Sequence, residues 1–200
     1  MNKPKPLLVG ITGGIGAGKS TSAKIFNILG IPVYSADDRA KWLMANDKNL
    51  IAAISKSFGE SSYNADGSLN KAFLANEVFS DQEKTKTING LVHPVVKNDF
   101  ENWASKQSSP YVLKEAALLF ESGSYKDLDK IINVSAPIKV RILRVLTRDP
   151  QRSEEQINAI IDRQLPDEQK NKLSDFTIKN VDNKMLIPQV LKIHQSLIEK

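Results

Sequence analysis

The stretch Gly13-Gly14-Ile15-Gly16-Ala17-Gly18-Lys19-Ser20 decides the fold class of this chain. It fits the phosphate-binding loop (P-loop) pattern, in which a glycine and four further residues precede Gly-Lys-Ser. Such a loop requires a strand before it and a helix after it. The apolar run Leu7 to Thr12 is typical of a strand buried on both faces, and Lys19 to Leu29 has apolar residues at helical spacing before Gly30. The sequence therefore predicts an α/β fold that binds a nucleotide.

The residue types of this loop match the chemistry of phosphate binding. Glycines allow successive N–H groups to point inward around phosphate oxygens, and the N-terminus of the following helix adds positive potential. Lys19 can reach the β- and γ-phosphates, and Ser20 can offer its hydroxyl to Mg²⁺. A dinucleotide-binding fingerprint starting at Gly14 would require glycine at position 19, so the sequence excludes that class.

Composition narrows the class of protein further. The chain has 200 residues and 28 Lys+Arg against 23 Asp+Glu, a net charge of +5, and 40% of its residues are hydrophobic. This length favours one domain with an insertion. The absence of cysteine excludes disulfides, thiolate zinc sites and cysteine nucleophiles. No apolar run approaches the ~18 residues of a membrane span, and no signal peptide is apparent, so we expect a soluble, cytoplasmic protein.

Five strand-like segments alternate with helical patterns, which predicts a parallel sheet covered on both faces. Residues 1 to 6 resemble a loose tail. Residues 46 to about 108 differ from the rest because their patterns are almost wholly helical, which indicates an insertion between the second and third strands. Ser153 and Gln156 form a capping-box pattern at the start of a helix. The strand-like segments are 7–12, 32–34, 111–113, 130–134 and 176–178.

The C-terminal helix is predicted from its apolar periodicity. His194 falls on the apolar face of this helix, so we interpret it as structural. The residues predicted to form that face are Leu186, Ile187, Val190, Leu191, His194, Leu197 and Ile198.

Carboxylates follow two of the predicted strands, at the sheet edge where ligands bind in open α/β folds. Asp37 could accept the proton of an attacking hydroxyl, hold water on Mg²⁺, or simply cap a helix, and Asp38 competes for each of these roles. Glu115 could bind Mg²⁺ through water or be an ordinary charge at a strand end. The sequence alone leaves these alternatives open.

A basic segment spans residues 139 to 152 and ends before the capping box. Arg144 and Arg148 are four residues apart, so they share a helix face. Three interpretations stay open for the segment: a solvated helix face, a nucleic-acid footprint, or a lid that clamps phosphates with arginine donors. The segment contains no aromatic residue for base stacking, which counts against nucleic acid.

His93 lies in a helical pattern beside Leu91 and Val92. A histidine there is more often buried and hydrogen-bonded than an acid–base group.

Several ordered segments together resemble the dephospho-coenzyme A kinase family, over about residues 7 to 195. Departures from the family pattern are Ser35, which replaces the first aspartate of an Asp-Ala-Asp segment, together with Glu115, Ala117 and Ser174. The segments that carry the resemblance are 11–21, Ser35-Ala36-Asp37, Leu91-Val92-His93-Pro94, Leu118-Leu119-Phe120-Glu121-Ser122, Arg144 with Arg148-Asp149, Arg163-Gln164, and Asp175-Phe176 with Ile178 and Asn180.

This resemblance implies a single P-loop NTPase-type domain over residues 1–200. Its core would be a parallel five-stranded sheet between helices, near 7–37 and 109–200. A helical acceptor-binding insertion would occupy about 38–108, and an arginine lid about 140–155. The implied reaction is phosphorylation of the ribose 3′-hydroxyl of dephospho-coenzyme A by ATP with Mg²⁺, the last step of coenzyme A synthesis.

The resemblance also implies residue roles. Asp37 would be the base, and it would act with Lys19, Arg144 and Arg148 in catalysis. His93 and Phe120 would line the acceptor pocket, and Asn180 would lie near adenine. The residues expected to bind the phosphates and Mg²⁺ are Gly14, Gly16, Ala17, Gly18, Lys19, Ser20 and Thr21, with Ser20 as the metal ligand.

Other functions remain to be weighed against this one. Another small-metabolite or nucleoside monophosphate kinase would share Lys19 and Ser20 and differ in the insertion. A nucleic-acid binder would use residues 139–152, and a regulatory nucleotide switch would hydrolyse its nucleotide without an acceptor. We expect a small-molecule partner, no nucleic acid, no membrane, and a monomer or small homo-oligomer.

Overall fold

The computed structural model describes residues 5–199, excluding the side chains of residues 79 and 80. Most of the expected N-terminal tail therefore lies outside the described residues, although Pro6 is described and is buried. The elements are β1 Leu7–Thr12, α1 Lys19–Ile28, β2 Val33–Ser35, α2 Ala36–Asn46, α3 Lys48–Phe58, α4 Lys71–Ser80, α5 Gln82–Ala104, β3 Tyr111–Glu115, β4 Lys130–Ser135, α6 Ile138–Arg148, α7 Glu154–Asp162, α8 Asp167–Leu173, β5 Phe176–Lys179 and α9 Leu186–Ile198.

The five strands form one parallel sheet in the order β2-β3-β1-β4-β5. The predicted parallel five-stranded sheet is therefore confirmed. Strand β1 is central, and Ile11 pairs in register with Glu115 on β3 and with Ile132 on β4. Because all strands point the same way, the P-loop after β1 and Glu115 at the end of β3 lie at the same edge of the sheet.

A continuous apolar core holds the sheet to its helices. Val9 and Ile11 of β1 are fully buried, as expected for a central parallel strand. Phe26 of α1 packs into the same cluster, and its ring meets Tyr111 of β3 edge-on at a centroid distance of 6.4 Å. Each such buried side chain contributes about 1.5–3 kcal/mol, so this core fixes the strand from which the P-loop emerges.

The chain divides into two compact units. The first comprises the residues up to Ser35 and those from Ala104 onward, and it contains the sheet. The second is Ala36–Trp103, a mainly helical segment that contains α2, α3, α4 and most of α5. This second unit begins two residues before the expected insertion and ends five residues before its expected end.

The helical unit is held by its own core and by one paired arginine. Leu50, Ile54 and Phe100 are buried. Arg39 donates from Nε and Nη2 to the two carboxylate oxygens of Asp99, at 2.9 and 2.7 Å, which ties α2 to α5. The guanidinium also lies 4.4 Å from the ring centroid of Trp42. These contacts fix the orientation of α2, which carries Asp37.

Two expectations about helix ends can be compared with the structure. The capping box is confirmed, since Ser153 Oγ accepts from Gln156 N and Gln156 Oε1 accepts from Ser153 N. The interpretation of Asp37 or Asp38 as a helix cap is wrong. Helix α2 begins at Ala36, directly after β2, so both aspartates lie in its first turn.

The face predicted for α9 is partly wrong. Ile187, Leu191 and Ile198 are exposed, whereas Ile193, which was not predicted, is buried. The apolar periodicity predicted the helix correctly. The face of α9 that packs against the sheet and α1 is narrower than the face that its apolar residues cover. The structural role expected for His194 is supported, because its Nδ1 lies 2.7 Å from the buried Tyr111 hydroxyl. Burial raises the pKa of Tyr111. Among the described residues, no helix has the length and apolar character to cross a membrane.

Candidate active site

At two positions of the P-loop turn, neighbouring backbone occupies the space that a side chain would need, so glycine is required there. Gly13 and Gly16 have φ angles of 152° and 76°. A Cβ on Gly13 would lie 2.3 Å from the Val134 carbonyl oxygen, and one on Gly16 would lie 2.3 Å from the Arg141 carbonyl oxygen. Because neighbouring backbone fills the space of a side chain at Gly13 and Gly16, the loop keeps the cradle of N–H groups that phosphates require.

Lys19 and Ser20 begin helix α1 directly after this cradle. Lys19 Nζ donates to the Gly13 carbonyl at 3.0 Å, across the mouth of the loop. Ser20 Oγ donates to Glu115 Oε1 at 2.6 Å. The side chains of the motif and the carboxylate at the end of β3 thus converge at one sheet edge. Thr21 follows on the same helix and is exposed.

The pair of Ser20 and Glu115 has the chemistry of a magnesium site. Mg²⁺ prefers oxygen donors, keeps several waters, and is usually held by one or two carboxylates with substrate phosphates. One hydroxyl and one carboxylate therefore suffice on the protein side. No group of three or more His, Asp or Glu side chains suited to a metal occurs within residues 5–199, so a site built from protein ligands alone is not found there. The donors present fit Mg²⁺ bound together with a nucleotide.

Asn180 joins the end of β5 to the P-loop. Its backbone N–H donates to the Ser135 carbonyl at 2.8 Å, and its Nδ2 donates to the Ala17 carbonyl at 2.8 Å. Arg144 reaches the same residue, with Nη1 3.3 Å from the Asn180 carbonyl and Nη2 3.4 Å from Oδ1. The structure therefore places Asn180 against the loop and Arg144 against Asn180.

Arg148 is the last residue of α6 and is paired with its neighbour. Its Nε and Nη2 donate to the two carboxylate oxygens of Asp149, at 3.1 and 2.8 Å, and Arg152 Nε lies 3.5 Å from the same carboxylate. The hydrogen bond between them raises the pKa of Arg148 and lowers that of Asp149. The Arg148 side chain is 64% exposed, so this pair adds little stability and can exchange for another anion.

Sequence reasoning missed two residues that touch the loop. Arg141 is buried, and its Nε donates to the Ile15 carbonyl at 2.9 Å; Gln164 is also buried, and its Oε1 accepts from the Ile15 N–H at 2.9 Å. Burial lowers the pKa of Arg141, while the charge of Asp167 acts in the opposite direction. The interpretation of the basic segment as a solvated face is wrong at Arg141. No sequence signal separates it from its exposed neighbours, whereas Gln164 belonged to a segment that carried the family resemblance.

The remaining predicted residues occupy both units. Asp37 and His93 belong to the helical unit and are exposed, so the interpretation of His93 as a buried histidine is wrong. Phe120 belongs to the unit with the sheet, is 8% exposed, and packs against Tyr125 with a centroid distance of 5.3 Å.

Comparison with protein families gives one assignment. The model of the family described as dephospho-CoA kinase matches residues 7–185. A Dephospho-CoA kinase of Bacteroides fragilis is 37% identical over 193 residues, which is 96% of this chain and 93% of the relative. One of Porphyromonas gingivalis is 36% identical over 194 residues, which is 97% of this chain and 96% of the relative.

Solved structures share the fold. A crystal structure from Thermus thermophilus has a TM-score of 0.85 at 31% identity and covers 96% of this chain and 98% of that chain. The dephospho-CoA kinase of Campylobacter jejuni has a TM-score of 0.65 at 23% identity and covers 98% and 100% of the two chains; at that identity it supports the P-loop kinase fold alone. From the family model and the curated relatives together, the chain belongs to the dephospho-CoA kinase family.

Proposed function

We propose that this protein transfers the γ-phosphoryl group of ATP to the ribose 3′-hydroxyl of dephospho-coenzyme A, giving coenzyme A and ADP in coenzyme A biosynthesis. The observation that carries the proposal is the P-loop cradle at the sheet edge, with Lys19 and Ser20 beside it, in a chain of this family. Because the reaction consumes ATP, we also expect it to run in the cytoplasm. A monomer or small homo-oligomer suffices, since every proposed role falls on one chain.

On the donor side, the proposed roles follow the geometry of the loop. The N–H groups of the loop, with Lys19, bind the β- and γ-phosphates, which carry most of the charge. The glycines and small residues proposed for this role are Gly14, Gly16, Ala17 and Gly18, with Thr21 behind them. Asn180 borders the loop on the β5 side and Arg144 is hydrogen-bonded to Asn180, which suits both residues to contact the nucleotide.

Magnesium is the proposed cofactor. Ser20 and Glu115 would hold it through the hydroxyl and the carboxylate that are hydrogen-bonded to each other here. When bound, the ion neutralises charge on the phosphate oxygens. Glu115 thereby takes a role for which the sequence alone left a plain surface charge as an alternative.

Two further groups are proposed to act in the transfer step, one on the acceptor hydroxyl and one on the phosphoryl group. Asp37 would orient the acceptor hydroxyl and accept its proton, and its exposed position in the first turn of α2 leaves the carboxylate available for that contact. Arg148 would break its ion pair with Asp149 and donate to the γ-phosphoryl oxygens, since its exposed guanidinium can exchange one anion for another. We propose residues 140–155 as the lid that brings this arginine to the phosphates.

His93 of the helical unit and Phe120 of the sheet unit are both proposed to contact the acceptor. His93 is exposed on α5 and can donate or accept hydrogen bonds, and Phe120 offers an aromatic surface for the apolar part of the acceptor.

The test is ADP production by the purified protein with Mg-ATP, with and without dephospho-coenzyme A. Nucleoside monophosphates and shikimate serve as control acceptors, and mass spectrometry identifies the product. We expect turnover that depends on dephospho-coenzyme A and yields coenzyme A. Turnover with a control acceptor instead would keep the phosphoryl-transfer assignment and overturn the acceptor.

A further inference from the structure

Both backbone polar groups of one P-loop residue, Ile15, are held by side chains distant in sequence. The Ile15 N–H donates to Gln164 Oε1, and the Ile15 carbonyl accepts from Arg141 Nε, each at 2.9 Å. Loop peptides at a surface ordinarily hydrogen-bond to water. Here Gln164 and Arg141, which are 8% and 4% exposed, replace water as the hydrogen-bond partners. This arrangement requires an explanation because it falls in the middle of the phosphate cradle.

The backbone at Gln164 is held by hydrogen bonds on both sides of the residue. The Gln164 N–H donates to the Ile161 carbonyl at 3.0 Å, and the next N–H, that of Leu165, donates to Glu121 Oε1 at 2.7 Å. Lys170 Nζ lies 2.9 Å from the same carboxylate oxygen, and the Lys170 side chain is 1% exposed. An ion pair between the buried Lys170 and Glu121 therefore anchors the backbone that presents Gln164 to the loop.

Arg141 contacts the loop through more than one hydrogen bond. A Cβ on Gly14 would lie 2.1 Å from Arg141 Nη2, and a Cβ on Gly16 would lie 2.3 Å from the Arg141 carbonyl oxygen. The guanidinium thus packs directly on the Gly14 backbone. Helix α6 is in this way braced against the loop three residues before Arg144 and seven before Arg148.

We propose that Gln164 and Arg141 are positioning residues that hold the N–H and the carbonyl of Ile15 so that the P-loop is shaped for phosphates before the nucleotide arrives. Four of the six residues from Gly13 to Gly18 are glycine, and glycine loses the most conformational freedom on ordering. A loop that is ordered in advance does not lose that freedom on binding, so its affinity for the nucleotide is higher. The inference deepens the proposed function and rests on it.

The first experiment replaces Gln164 with methionine, which has a similar volume and no acceptor oxygen. Two quantities are measured: hydrogen exchange of the Ile15 amide by NMR in the nucleotide-free protein, and the Kd for Mg-ATP by calorimetry. We expect Gln164→Met to speed the Ile15 exchange roughly tenfold and to weaken Mg-ATP binding roughly threefold to tenfold. The KM for dephospho-coenzyme A should stay within about twofold, because the loop does not bind the acceptor.

Gln169→Met is the matched control, since Gln169 is an exposed glutamine on α8. It should change neither the exchange nor the Kd. Unchanged Ile15 exchange in Gln164→Met, or an unchanged Kd despite faster exchange, would overturn the positioning role. So would an equal rise in the Kd for ATP and the KM for the acceptor, which indicates general loosening.

The second variant is Arg141→Lys, which keeps the charge that faces Asp167. We expect weaker Mg-ATP binding with little change in Tm. In the double variant with Gln164→Met, the loss should be smaller than the product of the two single losses, because both side chains hold the backbone of one residue, Ile15. Losses that multiply independently would show that the two side chains do not act together on Ile15. Exchange and Kd need no acceptor, so these outcomes are separate from a failure to phosphorylate dephospho-coenzyme A.

Discussion

Asp37 is the residue whose replacement separates chemistry from binding. It is exposed in the first turn of α2, so the fold does not depend on its side chain. We expect Asp37→Asn to lower kcat by about 10²–10⁴, the usual contribution of a general base, and to leave the Kd for Mg-ATP nearly unchanged. Steady-state kinetics and calorimetry measure the two quantities.

Asp38→Asn is the control for this prediction. Asp38 is the adjacent exposed aspartate, and its carboxylate pairs with Lys41 at 3.3 Å. Its replacement should leave kcat close to that of the wild type. If Asp38→Asn loses turnover and Asp37→Asn does not, the roles of the two residues must be exchanged.

Tyr111 makes the stability of the protein sensitive to alkaline pH. Burial raises its pKa above the ordinary value of about 10, so the folded state resists its ionisation more than the unfolded chain does. The stability that depends on the neutral hydroxyl is fully present below about pH 10 and is lost as the pH rises above it.

Tyr111→Phe tests this predicted loss of stability at high pH. At about pH 8 it should cost ~0.5–1.5 kcal/mol, the value of the hydrogen bond to His194. Above about pH 10 the wild type should lose stability faster than the variant, so the difference between them shrinks or reverses. Urea unfolding at both pH values measures this difference in the free energy of unfolding. Tyr125→Phe, which keeps Tyr111, should follow the wild type; a parallel decline of Tyr111→Phe and wild type would contradict the prediction.

At the level of single residues, local sequence patterns predicted the residues of the P-loop motif but not the residues that pack against the loop. Lys19 and Ser20 were predictable because their spacing from the glycines is itself the motif. Arg141 was not, because a cation on an amphipathic helix is typical of a solvated face, and only the packing of α6 onto Gly14 shows that it points inward. The prediction for His93 was wrong in the opposite sense. Its apolar neighbours suggested burial, and the structure leaves it exposed.

Elements were predictable where their determinants are local. The start of α7 is an example, because the hydrogen bonds between Ser153 and Gln156 span only three residues. Helix α9 shows the limit. Apolar residues cover more than one side of it, and the choice of Ile193 over Ile187 depends on partners far away in the sequence.

Ser153→Ala tests the contribution of the capping box. The variant loses the acceptor for the Gln156 N–H, and such losses cost ~0.5–2 kcal/mol. For a chain of this size we expect Tm to fall by about 2–4 °C for each kcal/mol lost. Ser57→Ala, at an exposed serine within α3, is the control and should change Tm little. Equal Tm values for the two variants would show that the capping box adds no stability.

At the scale of the whole molecule, the order of the strands decides where chemistry can occur. Placing β1 between β3 and β4 puts the P-loop beside Glu115 on one side and beside Arg141 of α6 on the other. The sequence predicted strands and their alternation with helices, but neighbouring strands are distant along the chain. The pairing of Ser20 with Glu115 therefore emerged only from the assembled sheet.

Because one loop is proposed to hold the triphosphate, nucleotide binding should stabilise the whole sheet unit. At Mg-ATP about 100-fold above its Kd, linkage adds ~2.7 kcal/mol, which corresponds to a rise in Tm of roughly 5–10 °C. Lys19→Ala should melt near the wild type without nucleotide and lose most of that rise, since Lys19 Nζ already lies across the loop mouth. Lys24→Ala, at an exposed lysine on the same helix, should keep it. Adding EDTA should reduce the rise in the wild type, because Ser20 and Glu115 would then have no ion to share with the phosphates. A Lys19→Ala protein that Mg-ATP protects as fully as the wild type would mean that the triphosphate binds elsewhere.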